Sequence, residues 1–154
     1  MPLKAGDKAP AFTLPDQSGD KLRLSGLKGQ NVLVYFYPKA DTPGCTAQAC
    51  GLRDVLSDVG DTAIVGISPD PPSRQRKFDE KYGLGFPLLS DEDHAVAEAY
   101  GVWAEKSMYG RKYMGIKRSA FLVDEKGRIA EAWYGISPKD TATRLVASLH
   151  ERAR

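Results

Sequence analysis

Apolar positions along the chain recur with two periods, and the alternation between them predicts the order of elements. Asn31 to Tyr37 (Asn-Val-Leu-Val-Tyr-Phe-Tyr) is a near-continuous β-branched and aromatic run. A strand buried on both faces needs such a run. Pro38 ends it, because proline has no N–H to give to a ladder. From Cys45 the period lengthens. Cys45, Ala49, Leu52, Leu56 and Val59 fall at helical spacing, with Arg53, Asp54, Ser57 and Asp58 largely between them. Gly60 is expected to cap that helix. Thr62 to Ser68 reads as a second buried strand. Pro71 and Pro72 suit the first turn of a helix that runs to Tyr82 and stops at Gly83.

The flanking segments complete the order. Ala11 to Leu14 and Leu22 to Leu24 predict short strands around the turn-like cluster Asp16-Gln17-Ser18-Gly19, an N-terminal hairpin. Phe86 to Leu89 reads as extended, and Asp93 to Tyr100 as a short helix capped by Ser90 or Asp91. Trp103 to Lys117 shows no period and is expected to be irregular. Ser119 to Val123 and Arg128 to Tyr134 flank Asp124-Glu125-Lys126-Gly127, a hairpin signal. Ser137-Pro138 opens a last helix with Leu145, Val146 and Leu149 on its inner side. A β-α-β unit followed by a β-β-α unit predicts an α/β fold: a central mixed β-sheet flanked by helices, with the N-terminal β-hairpin attached. No repeat, low-complexity tract or linker interrupts the pattern, so residues 1–154 are expected to form a single domain.

Charge and composition then narrow the functional classes. The 22 Lys and Arg against 20 Asp and Glu leave a formal charge of only +2. So small an excess argues against nucleic acid or a membrane surface as partner. The stretch holding Lys106, Arg111, Lys112, Lys117 and Arg118, with Tyr109 and Tyr113 interleaved, has some of the residue types of a single-strand binder. It carries no binding motif and reads better as a solvated wall of a site elsewhere. No apolar run reaches the about 18 residues needed to span a bilayer. Met1 to Pro10 has no apolar stretch, so no secretory signal is expected and the chain reads as cytoplasmic. Structural disulfides are uncommon in that compartment, so the two cysteines need another explanation.

Both cysteines lie in Pro38-Lys39-Ala40-Asp41-Thr42-Pro43-Gly44-Cys45-Thr46-Ala47-Gln48-Ala49-Cys50. The stretch leaves a buried strand and enters a helix, where open α/β sheets place their chemistry. Cys45 falls in or beside the first helical turn, where unpaired N–H groups and the positive end of the helix dipole converge. Thiolate is the reactive form of cysteine, and such an environment favours it. Thr42 offers a hydroxyl three residues upstream, while Pro43 and Gly44 fix the loop and keep bulk away from Cys45. Two cysteines five apart with no nearby histidine lack the spacing of a zinc site, and His94 and His150 are remote in sequence, so no metal is expected. Nor is there a Cys-x-x-Cys pair, which removes a thioredoxin-type disulfide reductase. A spectator core cysteine at position 50, or a redox sensor using both thiols, stays open on residue types alone. Five residues along an ideal helix separate Cα atoms by roughly 8.6 Å, beyond the disulfide limit of about 7 Å. Cys45 and Cys50 can therefore pair only if the first turns of the helix unwind.

Pro38, Thr42 and Cys45 match the Pro-x-x-x-Thr-x-x-Cys signature of the peroxiredoxins. The wider run from Tyr37 to Asp54 resembles the peroxiredoxin Q subfamily, also called bacterioferritin comigratory protein. The likeness extends through Gly6-Asp7-Lys8-Ala9-Pro10, Gly66-Ile67-Ser68-Pro69-Asp70, Phe86 to Asp91 and Lys117-Arg118-Ser119-Ala120-Phe121. The resemblance implies a thioredoxin-like fold and a thiol-dependent peroxidase that takes hydrogen peroxide and alkyl hydroperoxides. It implies Cys45 as the peroxidatic cysteine, Thr42 as the peroxide's hydrogen-bond partner, Pro38 as the shield of the pocket and Arg118 as the cation beside the thiolate. Cys50 occupies the resolving position of members with both cysteines in one helix, so an intramolecular Cys45–Cys50 disulfide is implied, recycled by thioredoxin or a similar dithiol donor. No cofactor is implied, and a monomer is expected. Two positions depart from the subfamily's pattern. Gln48 stands where relatives often carry Glu, so a charged partner for the arginine is expected to be lost, and Ala120 replaces a commonly seen Thr.

Overall fold

The computed structural model describes residues 2–152, so residues 1, 153 and 154 of the expected domain lie outside the described part. An antiparallel pair, β1 (Thr13–Pro15) and β2 (Lys21–Arg23), comes first, with Thr13 opposite Arg23. The N-terminal hairpin is thus formed, each strand offset by a residue or two from the sequence expectation. Next comes β3 (Val32–Phe36), buried at every position. The helix α1 (Pro43–Asp54) leads to β4 (Ala63–Ser68), α2 (Pro72–Tyr82) and β5 (Leu88–Ser90). After α3 (Ala95–Ala99) the chain forms β6 (Trp103–Met108) and β7 (Arg111–Ile116), then β8 (Ser119–Val123), β9 (Ile129–Tyr134) and α4 (Thr141–Arg152).

Five strands form the central sheet in the order β5-β4-β3-β8-β9. The β3–β4 and β4–β5 pairs are parallel, while β3–β8 and β8–β9 are antiparallel, so the sheet is mixed as expected. Because side chains alternate across a strand, β3 feeds two cores. Leu33 and Tyr35 pack with Ala49 and Leu52 of α1, Phe78 of α2 and Leu145 of α4. Val32, Val34 and Phe36 pack with Phe12, Tyr100, Val102, Ile116 and Phe121 on the other face. That double burial explains why β3 reads as an unbroken apolar run.

Three expectations need correction. Helix α1 ends at Asp54, not at Gly60. A 3-10 turn over Leu56–Asp58 follows, with Val55 bridging the two elements, and Gly60 sits beyond it in a left-handed turn (φ 59°) before β4. The tighter 3-10 geometry shortens the path into the next strand while still burying Val59. Trp103 to Lys117 is no irregular excursion but a regular hairpin, with Lys106 opposite Tyr113 and Met108 opposite Arg111. Tyr109 (φ 53°) and Gly110 (φ 78°) make its two-residue turn, and positive φ at both central residues is what a tight hairpin needs. The strands escaped the pattern because most of their positions face solvent, leaving no apolar alternation to read. The third concerns α3, whose N-cap residue is His94. Asp91 nevertheless supplies the cap, its carboxylate accepting from the backbone N–H groups of Val96 (3.2 Å) and Ala97 (2.8 Å).

Candidate active site

Thr42 is the N-cap of α1 and Pro43 its first residue, a position that tolerates a missing N–H. Cys45 therefore stands in the first turn, as the sequence led us to expect. Its side chain faces inward and only 1% of the residue is exposed. The guanidinium of Arg118, between β7 and β8, reaches it from across the sheet: Nη2 lies 3.4 Å from the Cys45 Sγ. An arginine at that distance presents a permanent cation and an N–H donor to the sulfur.

The arginine is itself held. Nη1 of Arg118 donates to Gln48 Oε1 (2.7 Å), and Gln48 Nε2 donates to Thr141 Oγ1 (2.9 Å). The Thr141 hydroxyl donates to the carbonyl of Ser137 (3.1 Å). A chain of side chains thus ties α1, α4 and the approach to β8 into one scaffold. Gln48, fully buried on the same helix face as Cys45, brings the arginine no charge, but its amide oxygen still accepts from Arg118. An amide can accept and donate at once, whereas a carboxylate only accepts. Neither Gln48 nor Thr141 was expected in this role. A buried amide amid apolar residues leaves no periodic signature beyond its three-residue spacing from Cys45.

Gly44 explains its own place in the loop. A Cβ added there would meet Arg118 Nη2 at 3.1 Å and Pro138 Cγ at 3.5 Å, so a bare Cα lets the guanidinium settle over the helix start. The loop before α1 is clamped from three sides. The Ala40 N–H donates to the buried Asp70 carboxylate (2.7 Å), which also accepts from the Ser68 hydroxyl (2.7 Å). Asp41 adopts a left-handed conformation (φ 61°) and binds Lys81 Nζ (3.0 Å) and the Tyr82 hydroxyl (3.0 Å) of α2. Lys81 and Tyr82 hold the Asp41 carboxyl below the usual carboxylate range, and Asp41 with Tyr82 raises Lys81 in return. The Thr42 hydroxyl donates to the Lys39 carbonyl (2.8 Å), not to the sulfur. Pro38 is half-buried at the end of β3.

Beneath the site lie Tyr35 and Tyr37, both fully buried and stacked with ring centroids 5.4 Å apart. Burial is the main cause that pushes both phenols well above their ordinary range, so both stay neutral. Cys50 sits half-buried against the same apolar core, on α1, and both thiols are free. The intact helix keeps the two sulfurs from pairing, as the geometry of five helical residues requires. Among the described residues no cluster of metal-ligating side chains occurs, and no helix is long and apolar enough to cross a membrane.

A thioredoxin-like sheet whose central strand β3 leads into a cysteine-headed helix, with an arginine on the sulfur, defines a class of thiol enzymes. Residues 5–132 match the AhpC/TSA family, and the chain belongs to that family as a peroxiredoxin of the Q (Bcp) type. It is 56% identical over 130 residues to peroxiredoxin Bcp of Escherichia coli K12, covering 83% of each chain. Its structure is similar to that of the bacterioferritin comigratory protein of Xanthomonas campestris, with a TM-score of 0.90 and 33% identity over 97% of this chain and 99% of the other. Peroxiredoxin Q of Xylella fastidiosa superposes with a TM-score of 0.93 at 29% identity, over 100% of this chain and 99% of the other. The protein is accordingly a peroxidase and an oxidoreductase.

Proposed function

We propose that Cys45 is the peroxidatic nucleophile, Cys50 its resolving partner, and thioredoxin or a similar dithiol the electron donor. The observation that carries the reading is the 3.4 Å approach of Arg118 Nη2 to the Cys45 sulfur in the first turn of α1. The thiolate attacks the terminal peroxide oxygen. The S–O bond forms as the O–O bond breaks, sulfur is oxidised by two electrons, and the departing oxygen takes a proton to leave as water or an alcohol. Arg118 and the free N–H groups of the helix start stabilise the charge that develops on that oxygen, and they are already in place. The proton of the Thr42 hydroxyl is committed to Lys39, so Thr42 receives the peroxide through its lone pairs. Pro38 shields the pocket at the end of β3.

Cys50 then attacks the sulfenic sulfur, an S–S bond forms and water leaves. The first turns of α1 unwind to allow it. An external dithiol reopens the bond by exchange, regenerating both thiols. Hydrogen peroxide and alkyl hydroperoxides are the substrates of this reading; alkyl peroxide reduction is an activity ascribed to the Xanthomonas relative. The chain works as a single-domain monomer without a cofactor, in the cytoplasm, where thiols are kept reduced.

The test measures peroxide consumption with a thioredoxin system for the parent, Cys45→Ser and Cys50→Ser. Cys45→Ser should be inactive, and full activity in it would overturn the reading. Cys50→Ser should lose catalytic turnover with thioredoxin yet still consume one equivalent of peroxide. Undiminished turnover in Cys50→Ser would assign resolution to an external thiol.

A further inference from the structure

Among the described residues the large apolar side chains left exposed are Met108, Tyr109, Tyr113 and Met114, and all four belong to the β6–β7 hairpin. Tyr109, at the turn, is 98% exposed. The hairpin is a two-stranded sheet of its own, separate from the central one. Val102, Trp103 and Ile116 anchor its root in the core, while every residue from 107 to 114 is exposed. A lone two-stranded hairpin is only marginally stable in water, and apolar side chains gathered on such an arm mark a contact surface.

The same element concentrates the molecule's charge. Residues 103–117 hold Lys106, Arg111, Lys112 and Lys117 against Glu105 alone, a formal charge of +3, whereas the whole chain carries +2. The rest of the chain is therefore net −1. Glu105 is paired with Lys112 (3.6 Å). Among the described residues no carboxylate lies within 4.0 Å of Lys106, Arg111 or Lys117. Lys106 opposes Tyr113 and Met108 opposes Arg111. These alternate pairs share one face, which thus interleaves cations and apolar groups with no acid. The arm also stands beside the site. Strand β7 ends at Ile116, and Arg118, two residues on, reaches the Cys45 sulfur. Two residues span at most about 7 Å.

Charge decides what this face can hold. A second copy would bring the same +3 arm, and like charges set against each other repel. A protein with carboxylates around an apolar patch gains on both counts. The cycle proposed above calls for one macromolecule that reaches the Cys45–Cys50 disulfide and leaves again at each turnover. Its docking surface stands bare in the free chain.

We propose that the β6–β7 hairpin is the docking arm for the electron donor, a protein dithiol ringed by apolar and acidic side chains. The proposal rests on the dithiol recycling set out under the proposed function. With the arm engaged, the donor's S–S bond forms as the Cys45–Cys50 bond breaks. Two electrons and two protons pass from the donor to the regenerated thiols.

The test follows reduction of the oxidised protein by stopped flow, with thioredoxin and separately with dithiothreitol. Arg111→Glu reverses a charge on the arm. Tyr109→Asn removes the apolar tip and suits the left-handed turn. Each should lower the second-order rate constant with thioredoxin about three- to tenfold. The rate with dithiothreitol, which needs no docking surface, should stay at the parent's value. Added salt should slow thioredoxin more with the parent than with Arg111→Glu. Thioredoxin rates equal to the parent's in both variants overturn the docking arm alone. An equal fall with dithiothreitol also overturns it, since the effect would then lie in the disulfide itself. Loss of a dimer in Arg111→Glu by sedimentation, with thioredoxin rates unchanged, would give the arm to a second copy instead. If thioredoxin reduces the parent no faster than dithiothreitol does, the recycling under the proposed function falls together with the arm.

Discussion

At the scale of single residues, the site depends on what surrounds Arg118 as much as on Arg118 itself. Gly44 is one such residue. Alanine favours a helix over glycine by up to about 1 kcal/mol, so Gly44→Ala should not lower stability. Its methyl would stand 3.1 Å from the guanidinium nitrogen on the sulfur and displace it. Stopped-flow oxidation of Cys45 should slow by about tenfold, the order expected when an electrostatic stabiliser is misplaced, while the thermal midpoint stays level or rises. Normal oxidation kinetics would show that the arginine has room to yield. Gln48 is the second such residue. Gln48→Leu strands the Arg118 Nη1 donor and takes from the Thr141 hydroxyl the donor it accepts from, at a cost of about 1–3 kcal/mol in chemical denaturation. Gln48→Glu retains an acceptor for Arg118 and should stay within about 1 kcal/mol of the parent. Cys45 and Arg118 were legible in the sequence because they sit in motifs. Gln48 was legible only as a departure from one, and its service to the arginine needs the long-range contact with Thr141 to be seen.

At the scale of elements, α1 is, on the proposed function, both the platform of the nucleophile and the obstacle to the disulfide. Gln48 lies between the two cysteines on the same helix, so unwinding that brings Cys50 to Cys45 must also release Arg118 from Gln48. The oxidised protein is therefore expected to lose amide-exchange protection over residues 45 to 55, with a smaller loss at the start of α4 where Thr141 gives up its partner. Equal exchange in both redox states would rule out the coupling. The same coupling makes Gln48→Leu a variant with two opposed effects. It should oxidise more slowly, because Arg118 is less well held, and resolve faster, because unwinding breaks one fewer bond. Under excess peroxide it should accumulate less sulfinic acid than the parent, measured by mass spectrometry after a fixed number of turnovers. An element that buries both faces, such as β3, was readable from its apolar run, and α2 from the prolines that open it and the glycine that ends it. The β6–β7 hairpin was not, since its exposed positions carry Met108, Tyr109, Tyr113 and Met114 as freely as lysine and arginine.

At the scale of the whole molecule, the site is assembled where segments far apart in the chain meet at one end of the sheet. The loop after β3, the start of α1, the residue before β8 and the start of α4 each bring one part. Only the first two are contiguous in sequence, which is why the order of elements was readable while their meeting point was not. The loop's attachment to α2 through Asp41, Lys81 and Tyr82 has a defined pH window. The Asp41 carboxyl is depressed by its partners, so its contribution is present above the unfolded value of about 3.9 and is lost as pH falls through the folded one. Lys81 is raised, so its share is present below about 10.5 and is lost as pH rises through its folded value. Between about pH 5 and 9 both charges persist. The stability difference between the parent and Asp41→Asn should therefore be flat across that range and shrink toward zero below about pH 4. A difference that changes within the neutral range would show that another titrating group governs the loop. The same flatness separates causes in the enzyme assay. Any activity change between pH 5 and 9 that survives in Asp41→Asn does not arise from the Asp41 clamp on the loop that carries Thr42.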